Sequence, residues 1–294
     1  MPGVGRAVNG SVRWLNLGPI SFQVSEVAKF AVIIYLSGYM VRHADALRHE
    51  VLGFLRPVML LGLVGALLLK EPDFGAAVVL LSTAMAMMFL AGVPLSQFIG
   101  LLMVFACATA ILAVSAPYRL ERLTSFLDPW ADQFDSGYQL TQALIAFGRG
   151  EWFGVGLGAS VQKLFYLPEA HTDFLFAVLA EELGLIGGLA VLVLYVLLVW
   201  RGMRIGFCAH RQGDLFGGYT AYGLTLWIGI QALINVGVNA GVLPTKGLTL
   251  PLMSYGGSSI VIVCMAIGVL LRIDFETRRA ELPSQRGVLR SCKY

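Results

Sequence analysis

Few side chains in this sequence can do acid–base or ionic chemistry. Asp173 stands in His171-Thr172-Asp173-Phe174, immediately ahead of a long apolar run. A carboxylate there could take a proton from an attacking hydroxyl, or it could cap the free N–H groups of the helix that begins beside it. Spacing alone leaves both roles open. Asp73, in Lys70-Glu71-Pro72-Asp73-Phe74, has the same two readings in a tight turn between apolar stretches. Arg13, Glu26 and Lys29 lie along RWLNLGPISFQVSEVAK, with Glu26 and Lys29 three apart and so on one helix face. They suit either an internal ion pair or, with Arg13, a cation-lined mouth for a phosphate-bearing lipid. Lys246 and Ser254 fall in the segment from Pro244 to Ser259, where small residues surround a lone lysine and let backbone approach a ligand; a simple re-entrant turn would use the same residues. Glu181 and Glu182 lie deeper in the run after Asp173, where pairing with a cation is the structural expectation. Gln231, Asn235 and Asn239 recur at four-residue spacing as a polar stripe suited to hydrogen bonds between helices. His171 has no second imidazole or cysteine at ligand spacing. Cys107, Cys208, Cys264 and Cys292 contain no C-x-x-C pair, so neither a zinc site nor a disulfide framework is indicated.

The elements that must hold these groups are apolar. Of 294 residues, 57% belong to the AVILMFWYC set and 13% are charged, with mean hydropathy +0.75 and net charge +3. A soluble domain carries about 25% charged residues. The deficit excludes disorder, collagen-like repeats and a nucleic-acid-binding surface, and it points to an integral membrane protein. Runs such as 74–91 and 185–200 are apolar on nearly every face, unlike the alternation of a transmembrane barrel. The expected fold is therefore all-α, a polytopic helix bundle in one integral membrane domain over 1–294. Seven segments are candidates to span: 25–41, 51–69, 74–92, 97–116, 172–200, 218–243 and 256–272, with Arg56-Pro57 interrupting the second.

Lys and Arg in the 42–56 and 201–217 loops and in the 273–294 tail put those regions in the cytoplasm. The N-terminal stretch and the large 117–171 loop then lie outside. Within that loop, Tyr138–Phe147 reads as an amphipathic helix fit for a membrane surface, and Gly154, Gly156 and Gly158 as a tight turn back into the bundle. Arg6 and Arg13 would have to cross without a preceding apolar segment, so an odd number of leading spans, or a start before Met1, is expected.

Six stretches together are specific: RWLNLGPISFQVSEVAK, EPDFG, PYRLERLTSFLDPW, SGYQLTQALIAFGRG, LPEAHTDFLFAVLAEELG and LPTKGLTLPLMSYGGSS. In this order they resemble the SEDS family (shape, elongation, division and sporulation). GLGASVQKLFYLPEAHTDF and LPTKGLTLP point to its cell-division branch, while Val24 replaces a proline common in the family. The resemblance implies ten spans, of which about seven are present here. It implies a glycosyltransferase that polymerises lipid II into β-1,4 glycan strands with inversion, for septal cell-wall synthesis outside the bacterial cytoplasmic membrane. Asp173 matches the family's catalytic aspartate. Arg13, Lys29 and Lys246 are then candidates to stabilise the pyrophosphate, with Glu26, Asp73 and Ser254 as further substrate-binding positions. No cofactor is required by this reading, although a divalent cation, Mg or Mn, on Asp73 or Glu26 is an option. The implied partners are lipid II, a class B penicillin-binding transpeptidase and other divisome membrane proteins, with no nucleic acid. Two alternatives use the same residues differently: a lipid II flippase with Glu181, Glu182 and the Gln231–Asn239 stripe as its polar path, and a non-catalytic divisome scaffold.

Overall fold

The computed structural model describes residues 5–8, 11–16, 21–71, 73–114, 126, 128–131, 137–244 and 247–284. Three short strands, β1 (Gly5–Val8), β2 (Ser11–Asn16) and β3 (Ser21–Gln23), pair antiparallel in sequence order. This small sheet departs from a purely helical expectation. SVRWLN and SFQ are too short and polar to span, and their Val, Trp and Phe favour extended backbone.

From extended Gln23 the chain enters α1 (Val24–Arg42), then α2 (Ala44–His49), α3 (Val51–Lys70), α4 (Phe74–Leu90) and α5 (Leu95–Val114). There follow α6 (Tyr138–Gly150), one turn of π-helix (Gln162–Tyr166), α7 (Leu175–Arg211), α8 (Leu215–Asn239) and α9 (Gly257–Ser284). The seven expected spans fall on α1, α3, α4, α5, α7, α8 and α9. Among the described residues five of these, α1, α3, α7, α8 and α9, are long and apolar enough to cross a membrane, and α4 and α5 contribute shorter apolar helices.

Pro57 does not interrupt α3, which runs through it. A proline in a helix leaves the carbonyl four residues earlier without its N–H donor. Here that carbonyl belongs to Gly53, and the Tyr39 hydroxyl donates to it at 2.6 Å. The orphaned acceptor is thus satisfied from α1 and the helix continues.

The chain divides into two compact units: Met1–Leu95 with Leu197–Gly229 and Gly257–Tyr294, and Ser96–Val196 with Ile230–Gly256. In the first unit Leu36, Met40, Leu80, Met87, Leu224 and Ile228 are fully buried. Its helices approach closely where residues are small. A Cβ on Gly202 would lie 2.1 Å from Thr225 Oγ1, and one on Gly206 would lie 2.7 Å from the Tyr222 ring. These glycines, four apart on α7, let it pack directly on α8 in the small-xxx-small manner of membrane helices.

In the second unit the apolar face of α6 is buried. Ala143 and Ala146 cluster with Leu167, Ala170, Phe174, Ala177 and Val178. The amphipathic helix is thus a packing element against the start of α7, where its small residues permit close contact, and its apolar face is not available to a membrane surface. Phe176, Ala232 and Leu250 form a second cluster.

Candidate active site

Asp173 lies in the turn just before α7, and this turn is fixed through its main chain. The side-chain amides of Asn235 and Asn239, one turn apart on α8, both donate to the Asp173 carbonyl at 2.9 Å. Asn239 also accepts the Ala177 N–H at 3.1 Å, a first-turn donor of α7 that it shares with the Phe174 carbonyl. Ser254 is buried; its hydroxyl donates to the Thr172 carbonyl and accepts the Leu250 N–H. Tyr255 N–H donates to the His171 carbonyl at 2.9 Å. Each residue from His171 to Asp173 therefore has its carbonyl tied to α8 or to the 250–255 segment.

The Asp173 side chain is half-buried. Gly247 faces it so closely that a Cβ there would stand 3.1 Å from Asp173 Oδ2. The segment after α8 is itself pinned, since Gln231 donates to the Thr249 carbonyl at 3.0 Å and Asn235 to that of Leu248. The polar stripe of α8 thus serves as a ladder of amides that holds two chain segments together. Lys246, next to Gly247 in sequence, lies outside the described residues.

Glu181 and Glu182 are both paired. Glu181 is fully buried and accepts hydrogen bonds from the Ser160 hydroxyl and from the Val161 and Gln162 N–H groups, with Arg149 at 3.2 Å. Glu182 bonds Lys163 at 2.7 Å. These carboxylates secure the 149–163 segment to α7.

The first unit holds the other candidates. Glu26 and Lys29 form an ion pair of 2.8 Å, buried to 4% and 1% exposure, and the Lys29 ammonium sits 5.2 Å from the centre of the Trp227 ring. Burying such a pair is tolerable only when it is well partnered. The second oxygen of Glu26 has no hydrogen-bond partner among the described residues. Asp73 caps α4, accepting the Ala76 N–H at 3.1 Å on one oxygen, with Gln23 Nε2 at 3.4 Å from the other. Gln23 N–H in turn donates to Ser258. Arg13 lies on β2 beside the irregularity in its pairing with β1. Among the described residues no three His, Cys, Asp or Glu side chains gather as metal ligands. Glu26 and Asp73, the expected ligands of a divalent cation, each commit an oxygen to Lys29 or to a helix terminus. Among the described residues the donor set does not make a cage for Mg or Mn.

Three features of these clusters are not singled out by residue type. Gly247 and the Thr172 carbonyl matter by position, and Trp227 is one aromatic among many apolar neighbours. The four-residue repeat of Gln231, Asn235 and Asn239 is the signal from which the ladder could be read.

The family of cell cycle proteins comprising FtsW, RodA and SpoVE matches residues 1–279. A relative from Legionella pneumophila, a probable peptidoglycan glycosyltransferase FtsW, is 64% identical over 278 residues, which is 95% of this chain and 71% of the relative. A solved structure described as the structural coordination of polymerization and crosslinking by a peptidoglycan synthase complex superposes with a TM-score of 0.74 at 32% identity. The match covers 94% of this chain and 76% of the other. The rod shape determining protein RodA of Thermus thermophilus superposes with a TM-score of 0.64 at 29% identity, covering 94% and 73%.

Proposed function

We propose, because this chain belongs to the FtsW/RodA/SpoVE family of cell cycle proteins, that it is a peptidoglycan glycosyltransferase of the FtsW kind, polymerising lipid II into glycan strands for septal wall synthesis. The observation that carries the reading is the fixed Asp173 turn, with its carboxylate set against side-chain-free Gly247. In the proposed step the Asp173 carboxylate takes the proton of an incoming sugar hydroxyl. The hydroxyl oxygen bonds to the anomeric carbon of the donor as the bond to pyrophosphate breaks, and the electron pair leaves with the pyrophosphate. Attack from the opposite face inverts an α-linkage to β-1,4. A pyrophosphate is a good leaving group, so stabilising its charge matters more than protonating it. Arg13, Lys29 and Lys246 are the proposed cations, with Glu26 setting the position of Lys29 and Asp73 that of the α4 terminus. Ser254 acts in this scheme by holding the Asp173 turn.

The reading extends to one multi-pass domain over 1–294 in the bacterial cytoplasmic membrane at the septum. The 117–171 loop faces outward and the 273–294 tail inward. A class B penicillin-binding transpeptidase and other divisome proteins are the proposed partners, in keeping with the synthase complex to which the chain is similar.

The experiment is polymerisation of fluorescent lipid II by the protein reconstituted with its transpeptidase, comparing wild type with Asp173→Asn. The asparagine retains the backbone carbonyl that Asn235 and Asn239 hold, so folding should persist while the base is lost. General base catalysis contributes about 10²–10⁴-fold, and glycan synthesis should fall by that factor. A mutant as active as wild type would remove Asp173 from the chemistry.

A further inference from the structure

α7 is broken near its start, and the break is filled by another part of the chain. Gly184 has φ 69° and ψ −169°, outside the helical range. The carbonyls freed above it and the N–H groups freed below it are not left open. Val155 and Gly156 donate to the carbonyls of Glu181 and Glu182 at 3.0 and 3.1 Å, and Leu185 and Ile186 donate to those of Glu151 and Trp152 at 2.9 and 3.2 Å. The two backbones approach so tightly that a Cβ on Gly154 would stand 2.1 Å from the Glu182 carbonyl oxygen, and one on Gly184 would stand 2.4 Å from Gly154 N. The Arg149–Glu181 and Lys163–Glu182 pairs fasten both ends of the same segment.

Although held this firmly, the segment turns its apolar groups outward. Trp152, Phe153, Val155 and Leu157 are 65, 82, 38 and 80% exposed. Below the break the outward face of α7 continues with Leu185, Ile186 and Leu189, each about half exposed, and 11% of the most apolar stretch of this helix is buried. The backbone bonds thus set the exposed apolar side chains of the knuckle beside the exposed apolar start of α7 below the break. The depth of the break follows from the sequence. Between Glu182 and Arg201 lie roughly 18 uncharged residues, which at ~1.5 Å each cover ~27 Å, close to the ~30 Å of a bilayer's hydrocarbon core. The break, and the knuckle paired to it, therefore sit at the boundary between hydrocarbon and headgroups. Tryptophan and other aromatics favour that layer.

We infer that residues 152–157 form a membrane-seated knuckle. This part of the 117–171 loop is embedded in the interfacial layer of the bilayer, anchoring the broken end of α7 and with it the turn that carries Asp173. The occupant of the exposed apolar surface is lipid. The assignment does not depend on the reaction proposed above.

The test compares tryptophan fluorescence of wild type and Trp152→Phe in vesicles of phosphatidylcholine brominated near the top of its acyl chains, in unbrominated vesicles, and with aqueous iodide. The wild-type-minus-variant signal isolates Trp152 from Trp14, Trp130, Trp200 and Trp227. Brominated lipid should reduce this signal by about twofold or more while iodide leaves it nearly unchanged, as expected for a ring ~5–10 Å into the interface. Quenching by iodide with no effect of brominated lipid would put the knuckle in water and overturn the inference. Protection from both would mean that protein covers it and would overturn it equally. Should Trp152→Phe fold poorly, Phe153→Trp supplies the same readout as an added signal.

Discussion

Asp173 is immobilised through its peptide, and its carboxylate stands close to a glycine. Two amides on its carbonyl and a serine on the preceding one define where the side chain starts. Gly247 defines what stands in front of it. At 3.1 Å from Asp173 Oδ2, a Cβ at position 247 is closer than ordinary packing allows and must push the carboxylate aside by a few tenths of an ångström. Displacement of that kind penalises a transition state more than a bound substrate. Gly247→Ala should therefore lower kcat of lipid II polymerisation by about tenfold with little change in KM. Steady-state kinetics of the two proteins at equal thermal stability checks this. An alanine variant with wild-type kcat would mean that Asp173 needs no such clearance. Asp73 illustrates the contrast. It too precedes a helix, and its own oxygen takes the Ala76 N–H, while Asn239 contributes an acceptor to the Ala177 N–H of α7.

Two irregularities of the described helices, in α7 and α3, are each repaired by a neighbouring element. The break of α7 at Gly184 is closed by backbone pairing with 151–156. Pro57 in α3 is tolerated because the Tyr39 hydroxyl replaces the missing donor to Gly53. The second repair makes a double-mutant prediction. Tyr39→Phe leaves a carbonyl without its partner at a cost of about 1–3 kcal/mol. Adding Pro57→Ala restores a backbone N–H at the position that would donate to Gly53, so the double variant should recover most of the loss. Thermal unfolding in detergent of wild type, both single variants and the double measures it. Equal loss in Tyr39→Phe with and without Pro57→Ala would show that the hydroxyl stabilises something other than the proline gap.

For the whole chain, the distribution of Lys and Arg makes a topological prediction. In a background with the native cysteines replaced, Trp130→Cys should react with a membrane-impermeant maleimide in intact spheroplasts, and Gln212→Cys only after permeabilisation. The opposite pattern would reverse the proposed orientation and put Asp173 on the wrong side for glycan assembly. Much at this scale was legible in the sequence. The apolar runs set the helices because a bilayer leaves backbone polar groups no partner but their own segment, and that constraint is local. The ion pair of Glu26 with Lys29 was readable for the same reason, as its partners lie one helical turn apart. The small sheet and the unbroken course of α3 through Pro57 were not readable. Neither was the burial of the α6 face, the clearance at Gly247 or the filling of the α7 break by 151–156. The last three depend on groups far apart in the chain meeting at a single point. Sequence determined which residues could act and which segments could cross a membrane, because both follow from side-chain chemistry and short-range periodicity. Tertiary structure alone decided which carbonyl each amide holds, which glycine faces a carboxylate and which loop closes a broken helix, because those bonds form only once distant segments have packed.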